Sequence, residues 1–309
     1  MKITLKKTTS ITCIKAHREH QRAIVNDVRE ITINAYRLHY SALNRYGLED
    51  EMDIKDVTTS VINQLVLNMQ EQGLSSHTIS NHMSYLRNLL NYCLDIGYID
   101  KMPKIKSIKI ATKQKQPLTA SEIEKLLVMP KDMDFPTYRN WIQTQLILAT
   151  GIRSRNVREV KVSDLDLTTQ TLFLSHTKTI DSVTIHLSPS IVKLLTSYVN
   201  KLELDDNSPL FPSQWGKVQN RTAFVNSMNK FFTSQGVDRC TPHLLRHTYA
   251  SQLAKSNVPI PIISKMLCHK NIRTTSRYIN MMEEDVREVA KNVDILADFQ
   301  PKKRSRIKL

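Results

Sequence analysis

The chain has 309 residues, of which 40% are hydrophobic and 24% charged, so it can bury a sizeable core in one large domain or in two. It carries 44 lysine and arginine residues against 29 aspartate and glutamate residues, and this net charge of +15 favours a polyanionic partner: DNA, RNA or an acidic membrane surface. Only six glycines occur, without a GxGxxG or GxxxxGKS/T motif, which argues against a dinucleotide-binding fold and a P-loop.

The N-terminal twenty residues contain no apolar core long enough for a signal peptide, and no apolar run of the chain approaches the length of a membrane span. We therefore expect a cytoplasmic protein without a membrane partner. Because no two cysteines form a CxxC pair, we expect reduced, mostly buried thiols rather than disulfides or a zinc knuckle. The cysteines are Cys13, Cys93, Cys240 and Cys268.

Residues 1–102 are predicted to form an all-helical domain. Apolar side chains recur at helical spacing after Ser76, where Ser75 or Ser76 suits the N-cap and Gly97 suits the end of the helix. Weaker helical periods cover 23–46 and 57–72, and neither strand alternation nor a catalytic constellation is found. The apolar positions of the strongest helix are Ile79, Met83, Leu86, Leu90 and Cys93.

A basic segment at 103–117 is predicted to link this domain to the rest of the chain. The stretch from 101 to 118 carries six lysines and no acid, lacks glycine, and is bracketed by Pro103 and Pro117. Its lysines either keep an extended linker soluble or lie along a phosphate backbone, where each displaces a counterion. The candidate DNA-contacting residues are Lys104, Lys106, Lys109, Lys113 and Lys115.

The remainder, 118–309, is predicted to be mostly helical. Thr119 and Glu122 form a capping-box pattern that begins a helix, and a second helix around 138–150 is expected to end at Gly151. Two segments rich in β-branched residues predict a β-hairpin, and helices follow it. The hairpin strands are 171–176 and 183–188, and the later helices cover 190–202, 222–234 and most of the chain to residue 299. The predicted fold class is mainly α with a small antiparallel β-sheet.

Six side chains are candidates for chemistry, although each alone has an ordinary structural explanation. An arginine follows the helix end at Gly151, a lysine lies in the hairpin, and an HxxR pair places an imidazole and a guanidinium on one helical face. Another histidine precedes a tyrosine by nine positions. Singly, such an arginine often neutralises a helix dipole, and a tyrosine is usually a packed side chain. The six residues are Arg153, Lys178, His243, Arg246, His269 and Tyr278.

In this order and spacing, the six residues resemble the active site of the tyrosine recombinase family, the phage-type integrases and Xer-like recombinases. The resemblance spans nearly the whole chain and is strongest from Leu118 to Asn280, where ATGIR, HTKT, TPHLLRHTYAS and HKNIRTTSRYI occur. It implies a DNA-binding core-binding domain at 1–102 and a catalytic domain at 118–309. It also implies a cytoplasmic, nucleoid-associated site-specific recombinase or integrase of the kind that mobile genetic elements encode.

The implied reaction transfers a DNA phosphodiester to a tyrosine and then back to a DNA hydroxyl. It passes through a 3′-phosphotyrosine and needs no ATP, metal ion or other cofactor. Attack on phosphorus builds negative charge on the non-bridging oxygens, for which the guanidiniums of Arg153 and Arg246 are fixed bidentate donors. His269 is implied to supply a further donor to the same phosphate.

The implied nucleophile is Tyr278, whose phenol is mostly protonated at neutral pH and needs a base or a cationic pocket. His243 is the candidate base, and Lys178 is the candidate acid for the departing 5′ oxygen. His243 and His247 are also spaced for zinc. However, HLLRH lacks the glutamate of HExxH and Arg246 repels a cation, so no metal site is expected.

Two positions depart from the family pattern. Asn156 stands where many members have an acidic residue, which puts the fine orientation of the site in doubt rather than the reaction. Cys268 replaces the glycine of the LGH motif, so the turn either avoids a positive φ or is slightly rearranged. We expect its thiol to be a small buried group, and we expect His247 to have a packing or supporting role.

The chain after Tyr278 suggests an assembly. A helix from Glu284 either packs on its own domain or, as the resemblance implies, docks into a neighbouring protomer. The implied working form is a homotetramer on two double-stranded DNA recombination sites, with accessory proteins not disclosed by the sequence. The basic tail at 301–309 either touches DNA or is disordered. The apolar stripe of the helix is Val286, Val289, Val293 and Leu296.

Two alternative functions remain open. A type IB topoisomerase-like enzyme uses similar chemistry without exchanging partners, and the two-domain layout with a trailing helix favours the recombinase over it. A non-catalytic DNA-binding regulator needs only basic helices, and the complete six-residue set speaks against it.

Overall fold

The structure is a computed structural model that describes residues 10–110, 116–131, 133–174 and 182–268. The chain divides into two compact units, Met1–Gln114 and Lys115–Leu309. Among the described residues, no helix is both long and apolar enough to span a bilayer. The sequence expectations for Lys113, Lys115, the hairpin loop and everything after Cys268 lie outside the described residues.

The first unit is a helical bundle organised around its longest helix. That helix has Ser75 as its N-cap, whose hydroxyl accepts from the Thr78 N–H, and it ends at Gly97, which has a φ of 87°. Both ends are those predicted from the sequence. The other three helices pack against it. The bounds are α1 Cys13–Ile24, α2 Glu30–Arg45, α3 Thr59–Glu71 and α4 Ser76–Ile96, with a short 3-10 helix at Ile54–Asp56.

The sequence prediction of a helix over 23–46 is wrong at its start, and α1 was missed. The chain turns at 25–29, between α1 and α2. The inward-facing residues of α1 are Cys13, Ala16, His17 and His20. Because half of this face is histidine, α1 has no continuous apolar stripe, which is the signal that predicts an amphipathic helix.

Histidine and tyrosine side chains form part of the interior of the first unit. Nδ1 of His17 lies 2.5 Å from the Tyr85 hydroxyl, and its ring stacks on Tyr40 with centroids 4.2 Å apart. Nδ1 of His39 lies 3.0 Å from Nδ1 of His82, so that only one of the two atoms carries the proton between them. Burial lowers the pKa of His39 and His82. The pKa of His17 falls to about 4 because of burial and then the cationic neighbours.

Acid is therefore expected to loosen the first unit before the second. A histidine whose folded-state pKa lies below its unfolded value of 6.5 stabilises the fold fully above pH 6.5, and this contribution is lost as the pH falls towards 4. For His17 alone the loss between pH 7 and pH 5 is on the order of 1–2 kcal/mol. Hydrogen exchange, expressed as protection factors, should show α1 and α4 losing protection at pH 5 while the histidine-free helix at 135–150 keeps it. Equal loss in both would contradict this origin.

The basic segment 103–110 forms neither helix nor strand, and its side chains alternate in exposure. Ile105 and Ile108 are half-buried against the core of the first unit, and the backbone N–H of Lys104 donates to the Thr59 hydroxyl at 3.0 Å. Lys104, Lys106 and Lys109 are exposed. The apolar residues thus fix this stretch on the first unit and leave its lysines facing solvent.

The second unit surrounds one buried helix, α6. Its apolar residues lie on all sides, as expected for a helix that is covered by neighbours rather than by solvent. It packs against α5, α7, α8, α9 and α10. The bounds are α5 Ala120–Leu127, α6 Phe135–Thr150, α7 Ser154–Glu159, α8 Pro189–Lys201, α9 Arg221–Ser234, α10 Pro242–Lys255 and α11 Ile260–Met266.

One small antiparallel sheet interrupts these helices. Its strands are β1 Leu165–Asp166, β2 Thr171–Leu174 and β3 Val183–His186, in the order β1-β2-β3, with Leu172 opposite Ile185. The predicted hairpin is confirmed as β2 and β3. The sequence missed β1 because two residues are too few for an alternating pattern. The observed fold class is mainly α with a small antiparallel sheet, as predicted.

Candidate active site

A tight turn at Gly151 closes α6 and begins the site. Gly151 has a φ of 64°, and its N–H donates to the Ile147 carbonyl at 2.8 Å. A Cβ at this position would lie 2.5 Å from Cδ1 of Tyr249 and 2.8 Å from Cδ2 of Leu267. Only glycine combines this left-handed conformation with so close an approach of α10 and the chain after α11.

Arg153 lies two residues beyond this turn, at the N-cap position of α7. Its side chain is half-buried, and its Nη2 donates to the backbone carbonyl of Cys268 at 2.8 Å. The contact joins residues 115 positions apart in the chain. The side chain of Arg153 is therefore held by a specific hydrogen bond to the other side of the site. Its role is more than to neutralise the dipole at the end of α6.

The helix α10 carries His243 and Arg246. It begins sharply because the Thr241 hydroxyl accepts from the Leu244 N–H and Pro242 occupies the first turn. Arg246 is buried, and its Nη1 and Nη2 donate to the carbonyls of Gly151 and Leu267. His243, one turn earlier, is exposed.

The two arginines meet at one turn of the chain. Arg246 binds the carbonyl of Leu267, and Arg153 binds the carbonyl of the next residue, Cys268. Two guanidiniums from different helices therefore converge on consecutive peptide groups, immediately before His269 in the sequence. Such a pair concentrates permanent positive charge and planar donors in one place, which is the arrangement that an anionic phosphate favours.

Cys268 keeps the left-handed conformation that a glycine would adopt. Its φ is 52°, so the exchange of glycine for cysteine has not removed the positive φ. The thiol is half-buried, and burial raises its pKa, while the charges of Arg153 and Arg246 act in the opposite direction. The left-handed turn presents the Cys268 carbonyl to Arg153.

Asn156 and His247 lie close in the sequence to Arg153 and Arg246. Asn156 is half-buried on α7 and lines a pocket of about 350 Å³ with Glu159, Asp164 and others. Leu174, at the end of β2, lines the same pocket. His247 is half-buried beside Arg246. Among the described residues, no group of three or more potential ligands is placed to hold a metal ion.

The structure thus places three of the six predicted residues, Arg153, His243 and Arg246. Lys178, His269 and Tyr278 lie outside the described residues. The sequence analysis did not single out Tyr249, whose ring lies beside Gly151, or Thr248, whose hydroxyl accepts from the Leu118 N–H, although both stand inside the TPHLLRHTYAS motif. Only their position within this motif could have pointed to them, because a threonine and a tyrosine there do not by themselves indicate a role in the site.

Solved structures share this fold. A Tn1549 transposon integrase in complex with transposon right end DNA superposes with a TM-score of 0.76 at 18% identity, covering 91% of this chain and all of that one. A lambda integrase dimer bound to a COC′ core site gives a TM-score of 0.71 at 18% identity, covering 89% of this chain and 79% of that one. The chain therefore has the fold of these two integrases.

The family follows from the sequence models. The phage integrase family model matches residues 116–285, and a phage integrase SAM-like domain model matches residues 12–108. A tyrosine recombinase of Pseudothermotoga lettingae is 26% identical over 266 residues, which are 84% of this chain and 91% of that protein. The chain belongs to the phage integrase family, whose activity class is tyrosine-type, site-specific DNA recombination.

Proposed function

We propose that this chain cuts and rejoins DNA strands at a specific site through a covalent 3′-phosphotyrosine at Tyr278, without ATP or a metal ion. The observation that carries the proposal is the convergence of Arg153 and Arg246 on the consecutive carbonyls of Leu267 and Cys268. Arg153 and Arg246 are more than ninety positions apart in the sequence, yet they lie at one turn, where both guanidiniums could bind the same phosphate.

The arginines stabilise the charge that develops on the phosphate. As the tyrosine oxygen attacks, the non-bridging oxygens gain negative charge, and donors already fixed in place need no reorganisation at that moment. Arg246 is fixed by two carbonyls and Arg153 by one. His269, which follows the Cys268 carbonyl directly in the chain, is proposed as a further donor to the same phosphate.

Proton transfers are assigned to the remaining three residues. Tyr278 loses its phenolic proton as its oxygen bonds to phosphorus, and His243 accepts that proton as general base. The bond to the 5′ oxygen breaks, and Lys178 supplies the proton that this oxygen needs to leave as a hydroxyl. The phosphodiester energy is conserved in the phosphotyrosine, so a 5′ hydroxyl of the exchanged strand can reverse the reaction.

The proposed partner is double-stranded DNA with a recombination site. The exposed Lys104, Lys106 and Lys109, together with Lys113 and Lys115, are proposed to neutralise its phosphates. The related integrases of Tn1549 and lambda were solved on DNA, the latter as a dimer, which supports this partner. We propose residues 1–102 as the core-binding domain, 103–117 as the linker and 118–309 as the catalytic domain.

We further propose a homotetramer on two DNA duplexes as the working assembly, acting in the cytoplasm on chromosomal or mobile-element DNA. The predicted helix that carries the apolar stripe at 286–296 is proposed to dock into the neighbouring protomer.

Covalent selection tests the proposal and identifies the DNA site in the same experiment. The full-length protein is mixed with a library of nicked duplexes of random sequence, and DNA that stays attached after denaturation is sequenced. A single enriched motif is expected, and peptide mapping should place the DNA on Tyr278. The Tyr278→Phe variant should bind the enriched duplex with unchanged affinity and form no adduct.

Other outcomes separate the alternatives. DNA binding without any adduct in the wild-type protein would indicate a regulator. Adducts together with relaxation of supercoils, but without strand exchange between two sites, would indicate a topoisomerase-like enzyme. An equal adduct yield with Tyr278→Phe would remove Tyr278 as the nucleophile.

A further inference from the structure

Three consecutive backbone groups at the beginning of the second unit are bound by side chains from the region of α10. The carbonyls of Gln116 and Pro117 accept from Nη1 and Nη2 of Arg239, at 3.0 and 2.9 Å. The N–H of Leu118 donates to the Thr248 hydroxyl at 2.9 Å. The end of the basic segment is therefore fastened by specific bonds to two residues far along the chain.

These two residues flank the HxxR pair. Arg239 precedes His243 by four positions, and Thr248 follows Arg246 by two. The path from Arg239 into α10 is short and rigid, because Cys240 is buried and its N–H donates to the Val237 carbonyl. Thr248 is itself buried. A displacement of residues 116–118 would thus act on both sides of the two candidate catalytic residues.

Arg239 is held in turn by Glu122. Its Nε and Nη2 donate to the two carboxylate oxygens at 2.6 and 2.5 Å, and the same carboxylate accepts from the Thr119 N–H in the capping box of α5. The bond from Arg239 is the main cause that lowers the pKa of Glu122 to about 2, so the carboxylate is ionised at neutral pH. One guanidinium joins a carboxylate and two carbonyls, which the single ammonium of lysine cannot reproduce.

We propose that Glu122, Arg239 and Thr248 form a linker clamp, a set of positioning residues that transmits to α10 the placement of residues 116–118, at the end of the basic segment, when the protein binds DNA. The inference rests on the proposed function. Binding energy from phosphate contacts remote from the scissile bond is then used to orient His243 and Arg246, which raises the rate of cleavage rather than the affinity.

The test compares variants of the full-length protein on a nicked duplex that carries the selected site. Arg239→Lys keeps the charge but cannot make all four bonds, and Glu122→Gln removes the carboxylate. At saturating protein, both are expected to form the covalent adduct about 10 to 100 times more slowly than the wild type, as expected for a misplaced catalytic group. The Kd for the same duplex should change less than about twofold, since Arg239→Lys leaves the charge that phosphates attract unchanged.

Two matched variants serve as controls. Glu124→Gln removes the same charge from the exposed side of the same helix, α5, and should cleave at the wild-type rate. Thr248→Ser retains the hydroxyl that accepts from Leu118 and should also cleave normally, whereas Thr248→Val should be slow. Thermal unfolding of each variant is measured in parallel, and midpoints well above the assay temperature are expected.

A double-mutant cycle distinguishes positioning from a purely structural role. Replacing Lys113 and Lys115, the candidate DNA-contacting lysines nearest to Gln116 in the sequence, with alanine should lower the saturating cleavage rate of the wild type. The same replacement should have little further effect on the cleavage rate of Arg239→Lys, because in that variant the position of residues 116–118 is no longer coupled to α10. Additive effects would overturn the proposal, and so would wild-type rates in Arg239→Lys and Glu122→Gln. Failure of the proposed function would look different, since the wild-type protein itself would then form no adduct.

Discussion

The Arg246→Lys variant is expected to form the covalent adduct about 10³-fold more slowly than the wild type, the upper range for loss of one preorganised transition-state donor. Arg246 is buried and binds the carbonyls of Gly151 and Leu267 through two different nitrogens. A lysine presents one ammonium and cannot hold both carbonyls while it also faces a phosphate oxygen. The Arg246→Lys variant therefore loses both the fixed position of the positive charge beside the phosphate and the hydrogen bonds that hold the turn.

Arg158→Lys is the matched control for this prediction. Arg158 is half-buried in the same unit, and its Nη1 donates to the Gln219 carbonyl at 2.9 Å. It therefore shares with Arg246 the role of binding a backbone carbonyl, without a place at the Leu267–Cys268 turn. Single-turnover rates at saturating protein should fall only for Arg246→Lys, while DNA affinity stays similar. A comparable loss for both variants would indicate general destabilisation in place of a transition-state role.

Local signals in the sequence predicted those elements whose ends are set by their own residues. The ends of α4 followed from Ser75 and Gly97, and the start of α5 followed from the capping box of Thr119 and Glu122. The helix α1 escaped prediction because its buried face carries His17 and His20, whose burial depends on tyrosines from other helices. Whether such a helix face is buried depends on its tertiary contacts, which a local sequence pattern does not show.

The candidate site shows the same division. The residue types and their order indicated which side chains to consider, including Arg153 and Arg246. Both arginines bind the turn at Leu267 and Cys268, but only the tertiary structure brings them there. Arg246 is more than twenty positions from Leu267 in the sequence, and Arg153 is more than one hundred positions from Cys268. The linker clamp escaped notice because Arg239 and Glu122 resemble any exposed ion pair until the two backbone carbonyls are seen.

The Gly151→Ala variant is expected to lose both stability and cleavage. A non-glycine residue at a φ of 64° costs about 1–2 kcal/mol, and the added Cβ would stand 2.5 Å from the Tyr249 ring and 2.8 Å from Leu267. Overpacking of this kind adds about 1–3 kcal/mol. The contacts are relieved by a shift of the Tyr249 and Leu267 side chains or of the turn itself, and a shift of the turn moves the Gly151 carbonyl that accepts from Arg246. Thermal unfolding and single-turnover cleavage measure the two losses.

Gly236→Ala separates the two causes within the same unit. Gly236 has a φ of 69°, but a Cβ there would meet no atom within 4 Å, so only the conformational cost of about 1–2 kcal/mol is expected. Its cleavage rate at saturating protein should match the wild type. If Gly151→Ala and Gly236→Ala lowered stability equally and both cleaved normally, close packing at the turn would have no role in holding Arg246. A larger loss at Gly151 that is relieved by Tyr249→Ala would instead locate the strain at the contact between the turn and α10.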